Sequence, residues 1–444
     1  MFFEHAKIGI WGLGIVGTSA IRFFSRHHCI LTLLEKKILL PEDMHFLSQY
    51  SVSVHTDSIE SFLQNNDYIL ASPGIDLRPY LVYQHKFITE LDIFIDQYPN
   101  PIIAITGSVG KTSITHLLSL ILTHAKKKTL TGGNIGTGML DLLTDPHNDC
   151  AVLEVSSFQL EHCRSFAPDL AIWTNLYANH LDRHGSFENY FLAKLKLLKN
   201  QNNTQQALVP LELADQLRAA LPGRTFNFFS DQSFSTEKLT SSDTLFYFDD
   251  KNIIKYHQNS RQIIGSVACL PPITYTINWL ILIAAMHLLD LNVSLETIEY
   301  TLPSHRLEKV ATVNNIHFYD DSKATIPQST LAAVQQLQHT SLMLFLGGVS
   351  KGVDRSLLIA QLPKTIKHVF CFGKEADQLY QWCLANNLSA SSHQTLKEAF
   401  ATCIAQARDN DYVLFSPAGA SFDLFSNYQE RGNQFKKLVH ELSA

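Results

Sequence analysis

The sequence is short of charge and of paired cysteines. Only 17% of its 444 residues are Asp, Glu, Lys or Arg, and the net charge is a mild -6. That excludes the strongly basic surface of a nucleic-acid binder. The seven cysteines (Cys29, Cys150, Cys163, Cys269, Cys371, Cys383, Cys403) are scattered, with no Cys-x-x-Cys pair. An odd, widely spaced set argues against a disulfide framework and fits reduced thiols in a cytoplasmic protein. Most read as small core residues. No apolar run reaches the length of a membrane span, so no membrane insertion is expected. Met1 to Lys7 has no charged region followed by an apolar one, so no signal peptide is read. What the chain does have is 45% hydrophobic residues, enough for full cores in about two to four domains.

Alternating strand and helix patterns predict an α/β fold. Lys7–Trp11, Cys29–Leu34 and Tyr68–Ala71 read as strands, with a helix over Val16–Phe24. Tyr98-Pro99-Asn100-Pro101 punctuates a domain boundary. Cys150–Val155 and Leu170–Asn175 read as buried strands. Thr244–Phe248 and Ile253–His257 read as a hairpin. Thr276–Asn292 reads as a helix, and Leu302-Pro303-Ser304 as a second boundary. In the last third, strands end in Gly347-Gly348, Gly373 and Ser416-Pro417-Ala418-Gly419. Small residues at strand ends suit a doubly wound sheet with a ligand at its carboxyl edge.

The most informative stretch runs from Ile102 to Ser113. An apolar strand enters Gly107-Ser108-Val109-Gly110-Lys111-Thr112-Ser113, and an apolar-periodic helix follows. Glycines let backbone N–H groups close around phosphate oxygens, and the helix N-terminus adds positive potential. Lys111 is placed for β/γ-phosphates and the Thr112 hydroxyl for Mg²⁺. The loop is shorter than the general pattern, with Ile105 where the first glycine would stand. A second glycine turn, Gly12-Leu13-Gly14-Ile15-Val16-Gly17, has the dinucleotide form, and Glu35 ends the next strand where a ribose-binding acid would sit. Only about half of a dinucleotide fold fits before the phosphate loop, which suits a mononucleotide diphosphate better than NAD.

Other polar groups gather at strand ends. Thr131-Gly132-Gly133-Asn134-Ile135-Gly136 is rich in backbone N–H groups. Glu154 closes an apolar strand, where a carboxylate is costly without a cation or metal. Thr174 to Gly185 is unusually polar for a segment leaving a strand, and Ser186 with Glu188 opens a helix running through Lys194. His305-Arg306-Leu307-Glu308 precedes Asp320-Asp321-Ser322-Lys323-Ala324-Thr325, a grouping suited to phosphate and carboxylate. The stretch Ser416 to Asp423, then Asn427 to Gly432, closes the series.

In this order, from about residue 8 to 440, these motifs resemble the Mur ligase family. Asp321-Ser322-Lys323-Ala324-Thr325 and the Ser416-to-Gly432 stretch resemble the branch that adds D-glutamate. The resemblance implies three domains: a Rossmann-like UDP-substrate domain at 1–98, a P-loop ATPase domain at 99–302 and a doubly wound amino-acid domain at 303–444. It implies that Gly14, Ile15, Val16, Glu35, Lys36, Ser72, Pro73 and Gly74 lie at the UDP end of the substrate, with Asn134 and His180 near its muramoyl end. The ATP positions are Gly107 to Ser113, Asn278, Arg306 and Asp321. Thr112, Glu154, His180 and a carbamylated Lys194 match metal positions, with two Mg²⁺ sites expected. Lys323, Thr325, Lys351, Ser421, Phe422 and Tyr428 match positions around D-glutamate. Lys111, His180, Lys194 and Lys323 are the catalytic candidates.

The implied activity joins D-glutamate to UDP-N-acetylmuramoyl-L-alanine at the expense of ATP, through an acyl phosphate, in a cytoplasmic monomer. Four residues depart from the family's pattern: Val109 for Asn, Ile277 for His, Ile326 for Asn and Val16 for Thr. A sister ligase, a nucleotide binder without ligase activity and an NAD-dependent oxidoreductase are the competing readings. The last has no account of Lys111-Thr112.

Overall fold

The structure is a computed structural model that describes residues 3–134, 136–145, 147–232, 234–271, 274–300, 303–337 and 341–442. It contains three sheets. The first has five parallel strands in the order Ser53–Val54, Ile30–Leu34, Lys7–Trp11, Tyr68–Ala71, Phe87–Ile88. Side chains alternate across it. Ile8, Ile10, Leu31 and Leu33 pack into one core, whereas Trp11, Leu34, Ile69 and Phe87 pack into another on the opposite face. Two covered faces explain why these strands read as nearly continuous apolar runs.

The second sheet has nine strands. Six neighbouring pairs run parallel, through Thr129–Gly133, Cys150–Glu154, Ile102–Thr106, Leu170–Trp173, Gln206–Pro210, Asn227–Ser230 and Thr244–Asp249. Asn252–His257 then returns antiparallel, and Ser260–Ser266 adds an edge strand that the sequence reading did not anticipate. That edge strand is largely exposed and lacks an apolar face, so it carries little periodic signal. The expected strand Leu170–Asn175 stops at Trp173, because Thr174 and Asn175 turn to brace the phosphate loop. Cys150–Val155 stops at Glu154, and the helix from Thr276 ends at Leu288. Of the boundary expected at Leu302-Pro303-Ser304, Leu302 lies outside the described residues.

The third sheet has Glu308–Val313 antiparallel to Ile316–Asp320, followed by parallel strands Asp411–Phe415, Ser341–Gly347, His368–Phe372 and Ala390–His393. Leu342, Leu344 and Leu346 face one core, Met343 and Phe345 the other, as a doubly wound sheet requires. Five of the seven cysteines are buried, in line with a packing role. No helix among the described residues is long and apolar enough to cross a membrane.

The chain divides into two compact units, Met1–Leu176 with Glu188–Tyr300, and Tyr177–Phe187 with Thr301–Ala444. The first and second sheets thus share one unit, and polar contacts join them. Arg22 makes a two-pronged ion pair with Asp141, and the Asp141 N–H donates to Ser19 Oγ at 3.0 Å. Asp92 Oδ1 accepts from the N–H groups of Arg164 and Ser165 at 2.8 and 2.7 Å. Glu90, fully buried, accepts from Gln159 Nε2 at 2.7 Å through Oε1, while Oε2 has no hydrogen-bond partner among the described residues. Burial pushes the Glu90 carboxyl up to about 7, against the lowering effect of Gln159 and the Met139 N–H.

Two outcomes are expected. A Cβ on Gly17, in the first turn of helix Ile15–Ser25, would overlap the Gly12 carbonyl oxygen. In an open helix Gly→Ala adds about 1 kcal/mol of stability. Here Gly17→Ala is expected to remove ~1–3 kcal/mol, read by chemical unfolding. Glu90 binds its proton more tightly folded than unfolded, so stability falls as pH rises from about 4.5 to 7 and is level above that. Glu90→Gln is expected to flatten that slope and to be the more stable chain at pH 8, measured by urea melts across the range.

Candidate active site

The carboxyl edge of the second sheet gathers the residues singled out in the phosphate loop. Strand Ile102–Thr106 delivers Gly107, whose φ of 147° suits glycine alone. A Cβ there would overlap Thr174 Oγ1. Gly110, φ 86°, starts the helix Lys111–His124. The loop is braced from the neighbouring strand. Asn175 Oδ1 accepts from the N–H groups of Ser108 and Val109 at 3.1 and 2.9 Å. The Val109 carbonyl accepts from Thr174 Oγ1 at 2.6 Å and Asn175 Nδ2 at 3.1 Å. The main chain of Val109 therefore carries its polar contacts, and an apolar side chain fits without disturbing the turn. Asn175 and Thr174 were not assigned this role from sequence; a polar pair leaving a buried strand was the available signal.

The Thr112 hydroxyl donates to Glu154 Oε2 at 2.6 Å, and Asn134 Nδ2 donates to Glu154 Oε1 at 2.8 Å. Glu154 is 1% exposed. Three neighbouring elements thus meet on one carboxylate. Lys111 Nζ donates to the Gly107 carbonyl at 2.8 Å. Asn278, buried on helix Thr276–Leu288, reaches the same loop: a Cβ on Gly110 would lie 3.0 Å from its Oδ1. Ile135, beside Asn134, lies outside the described residues.

Lys194 is fully buried on helix Phe187–Lys199. Its Nζ donates to Thr106 Oγ1 at 3.1 Å and to the Gly107 carbonyl at 3.0 Å, and it lies 4.9 Å from the centre of the Tyr190 ring. Burial holds this amine well below the usual lysine range, helped by the charge of Lys111 and opposed by Glu154. Tyr190, which had no assignment from sequence, joins its hydroxyl to Ser108 Oγ at 3.1 Å.

On the first sheet, Gly14 opens helix Ile15–Ser25 and Ile15 is exposed. Glu35 does not extend free from its strand end. Its Oε2 accepts the Leu13 N–H at 2.7 Å, and its Oε1 those of Lys36 and Lys37 at 2.7 and 3.0 Å. Burial favours the neutral acid, but these three N–H groups outweigh it and hold the carboxyl below its usual range. Glu35 thus shapes the glycine turn. Val16, Ser72 and Pro73 line a narrow cleft together with Glu90, Phe158 and Gln159. Lys36 is exposed, and Gly74 has open space around its Cα.

In the second unit, His305 and Leu307 both take left-handed φ values, 67° and 46°, on either side of Arg306. His305 Nδ1 pairs with Asp320 Oδ2 at 2.6 Å, and Leu307 N–H donates to Asp321 Oδ1 at 3.2 Å. Gly432, inside helix Tyr428–His440, makes room for the His305 ring. Asp321 is buried, which pushes its carboxyl up to about 7 despite the Ser416 hydroxyl at 2.7 Å and the Arg306 charge. Lys323 Nζ lies 3.8 Å from the Tyr428 ring centre. Arg431, fully buried, donates to the carbonyls of Gly419 and Ser322 at 2.9 and 2.7 Å and to Ser322 Oγ at 3.0 Å. It ties the loop carrying Lys323 and Thr325 to the loop carrying Ser421 and Phe422. Burial lowers its guanidinium to about 10, so it stays charged at neutral pH. Ser421 is buried and Phe422 is 71% exposed. His180, at φ 55°, belongs to this unit, and the turn it opens lies against Gly352, beside Lys351.

Known proteins resemble this chain along its length. The description "Mur ligase MurD-like, N-terminal domain" matches residues 6–86, "Mur ligase middle domain" residues 105–280, and "Mur ligase, glutamate ligase domain" residues 305–419. The UDP-N-acetylmuramoylalanine--D-glutamate ligase of Desulfotalea psychrophila is 31% identical, covering 99% of this chain and 96% of its own. That of Vibrio atlanticus is 32% identical, covering 98% of each. Among solved structures, MurF from Acinetobacter baumannii superposes with a TM-score of 0.60 at 17% identity, over 98% of this chain and 93% of its own. MurC from Thermotoga maritima gives 0.58 at 17%, over 98% and 100%. With the motifs matched in three successive segments and relatives aligned end to end, the chain belongs to the Mur ligase family.

Proposed function

We propose that this chain joins D-glutamate to UDP-N-acetylmuramoyl-L-alanine with ATP, as an ATP-dependent ligase of peptidoglycan precursor synthesis. The observation that carries the reading is the full-length likeness to relatives named for that reaction. The cluster of Lys111, Thr112, Glu154 and Lys194 at one sheet edge supports the chemistry. The proposal assigns residues 1–98 to the UDP substrate, 99–302 to ATP and 303–444 to the amino acid, in a monomeric cytoplasmic enzyme.

A carboxylate is a poor acyl donor because its leaving group would be oxide. The substrate's terminal carboxylate oxygen attacks the γ-phosphorus of ATP, and ADP leaves. The free amine of D-glutamate then attacks the acyl carbon, the C–O bond to phosphate breaks, phosphate leaves, and the amine proton passes to solvent. In this scheme Lys111 neutralises charge on the transferring phosphoryl group. The backbone N–H groups at the start of helix Lys111–His124 orient the phosphates. Asn278, Arg306 and Asp321 are assigned to ATP; Lys323, Thr325, Lys351, Ser421, Phe422 and Tyr428 to D-glutamate. Gly14, Ile15, Val16, Lys36, Ser72, Pro73, Gly74 and Asn134 are assigned to the UDP substrate. Glu35 is assigned to the same end through the turn that it shapes. His180 rests on the resemblance alone and carries no step here.

The donor set fits Mg²⁺. A buried carboxylate and a hydroxyl are hard oxygen ligands, and Glu154 with Thr112 would hold the ion. Bound there, Mg²⁺ would offset negative charge on the phosphates. The proposal also takes Lys194 as carbamylated. In its unprotonated form, which burial favours, the amine can add to the carbon of CO₂, forming an N–C bond and releasing a proton to solvent. The product is an anion at a position where an ammonium would oppose a cation.

Phosphate release is expected to require D-glutamate together with UDP-N-acetylmuramoyl-L-alanine. Lys111→Ala is expected to lower kcat by about 10²-fold or more. Release with L-alanine or a diamino acid, but not D-glutamate, would reject the assignment. For Lys194, activity is expected to fall in CO₂-depleted buffer and to return with bicarbonate. A ¹³C carbamate signal from labelled bicarbonate is expected in the parent chain and not in Lys194→Met.

A further inference from the structure

Lys351 takes a left-handed backbone conformation, φ 54°, followed by Gly352 at 78°. A lysine resists this region, so neighbouring contacts must hold the turn. Two side chains do so, the buried Arg355 and the partly exposed Glu375, and neither has a part in the reaction proposed above. Glu375 precedes helix Ala376–Ala385. Its Oε1 accepts the Ser350 N–H at 3.0 Å, and its Oε2 pairs with Arg355 Nη2 at 2.5 Å. Arg355 is 0% exposed and precedes helix Ser356–Gln361. Its Nη1 donates to the Gly347 carbonyl at 2.8 Å and its Nη2 to that of Gly348 at 3.1 Å. One ion pair therefore spans the loop from Gly347 to Ser350 and ends one residue before Lys351.

The same guanidinium sets the opposite wall. A Cβ on Gly419 would lie 2.7 Å from Arg355 Nη1, so only glycine lets the second loop approach. Val349 and Ala420 exchange backbone hydrogen bonds at 2.9 and 2.8 Å, which fixes Ser421 relative to Lys351. Burying an ion pair contributes little to stability compared with apolar packing of the same volume. Arg355 Nε is moreover buried with no hydrogen-bond partner among the described residues. An apolar residue in place of Arg355 would fill this space at less cost, but it would remove the donors to the Gly347 and Gly348 carbonyls. The pair is suited to fixing loop geometry rather than to adding stability.

We infer that the Arg355–Glu375 ion pair is a positioning element of the amino-acid site, holding the Gly347–Lys351 loop so that the Lys351 ammonium meets the carboxylate of the incoming amino acid. This rests on the D-glutamate reading of Lys351 and Ser421. Neither residue touches the substrate; each acts through the loop.

The test is steady-state kinetics on the full chain with the double variant Arg355→Met/Glu375→Gln, which leaves no charge buried alone, and with Arg355→Lys. The expected result is a rise of about tenfold or more in the KM for D-glutamate for the double variant, with the KM for ATP within about twofold. Arg355→Lys, which keeps the charge but not the two-carbonyl fork, is expected to fall between. An unchanged D-glutamate KM overturns the inference. So does a parallel rise in both KM values, which a loss of structure would give. If the double variant does not fold, Arg355→Lys decides on the same two readouts. If the parent chain releases no phosphate with D-glutamate, the functional reading falls and takes this inference with it. If the parent is active and the KM stays put, only the role of the pair falls.

Discussion

The first unit depends on burying one carboxylate at the end of a strand. The dehydrated Glu154 carboxyl is met from two sides, by the Thr112 hydroxyl from the phosphate-loop helix and by the Asn134 amide from the next strand's loop. Removing either leaves a buried charge short of a hydrogen bond. The three elements are therefore held in one arrangement by a single group. The neighbouring loop is fixed the same way, by Thr174 and Asn175 working on its backbone. A sheet edge braced like this fixes the positions of its polar groups, which is what in-line chemistry on a phosphate needs.

The second unit meets the opposite electrostatic demand with the same logic. Its loops end in carbonyls crowded too closely for side chains, at Gly347, Gly348 and Gly419. Two buried guanidiniums satisfy them. Arg431 links the loop of Lys323 to that of Ser421, and Arg355 links Gly347 and Gly348 to Glu375. Planar forks with several donors do this where a lysine could not. The candidate amino-acid residues thus sit on loops whose positions are set from beneath.

Much of this was legible in the sequence because strands buried on both faces are long apolar runs and glycines mark the turns that follow them. Tyr68–Ala71 and the hairpin Thr244–Phe248 with Ile253–His257 appear where the pattern puts them. The edge strand Ser260–Ser266 was not legible, since an exposed edge has no apolar alternation to read. Glu35 shows the other kind of gap. Its place at a strand end was readable, but its commitment to three backbone N–H groups was not.

By itself, the sequence determined the α/β class, the family and the residue types that the chemistry requires, because these reside in local order and spacing. Tertiary structure alone decided which groups share a charge. The depressed basicity of Lys194, the raised carboxyls of Glu90 and Asp321, and the pairing of Arg355 with Glu375 all follow from burial and from neighbours distant in sequence. It also decided that Tyr177–Phe187, continuous in sequence with the strands of the second sheet, packs in the other unit. Desolvation and long-range contact have no local spacing, and so no sequence pattern carries them.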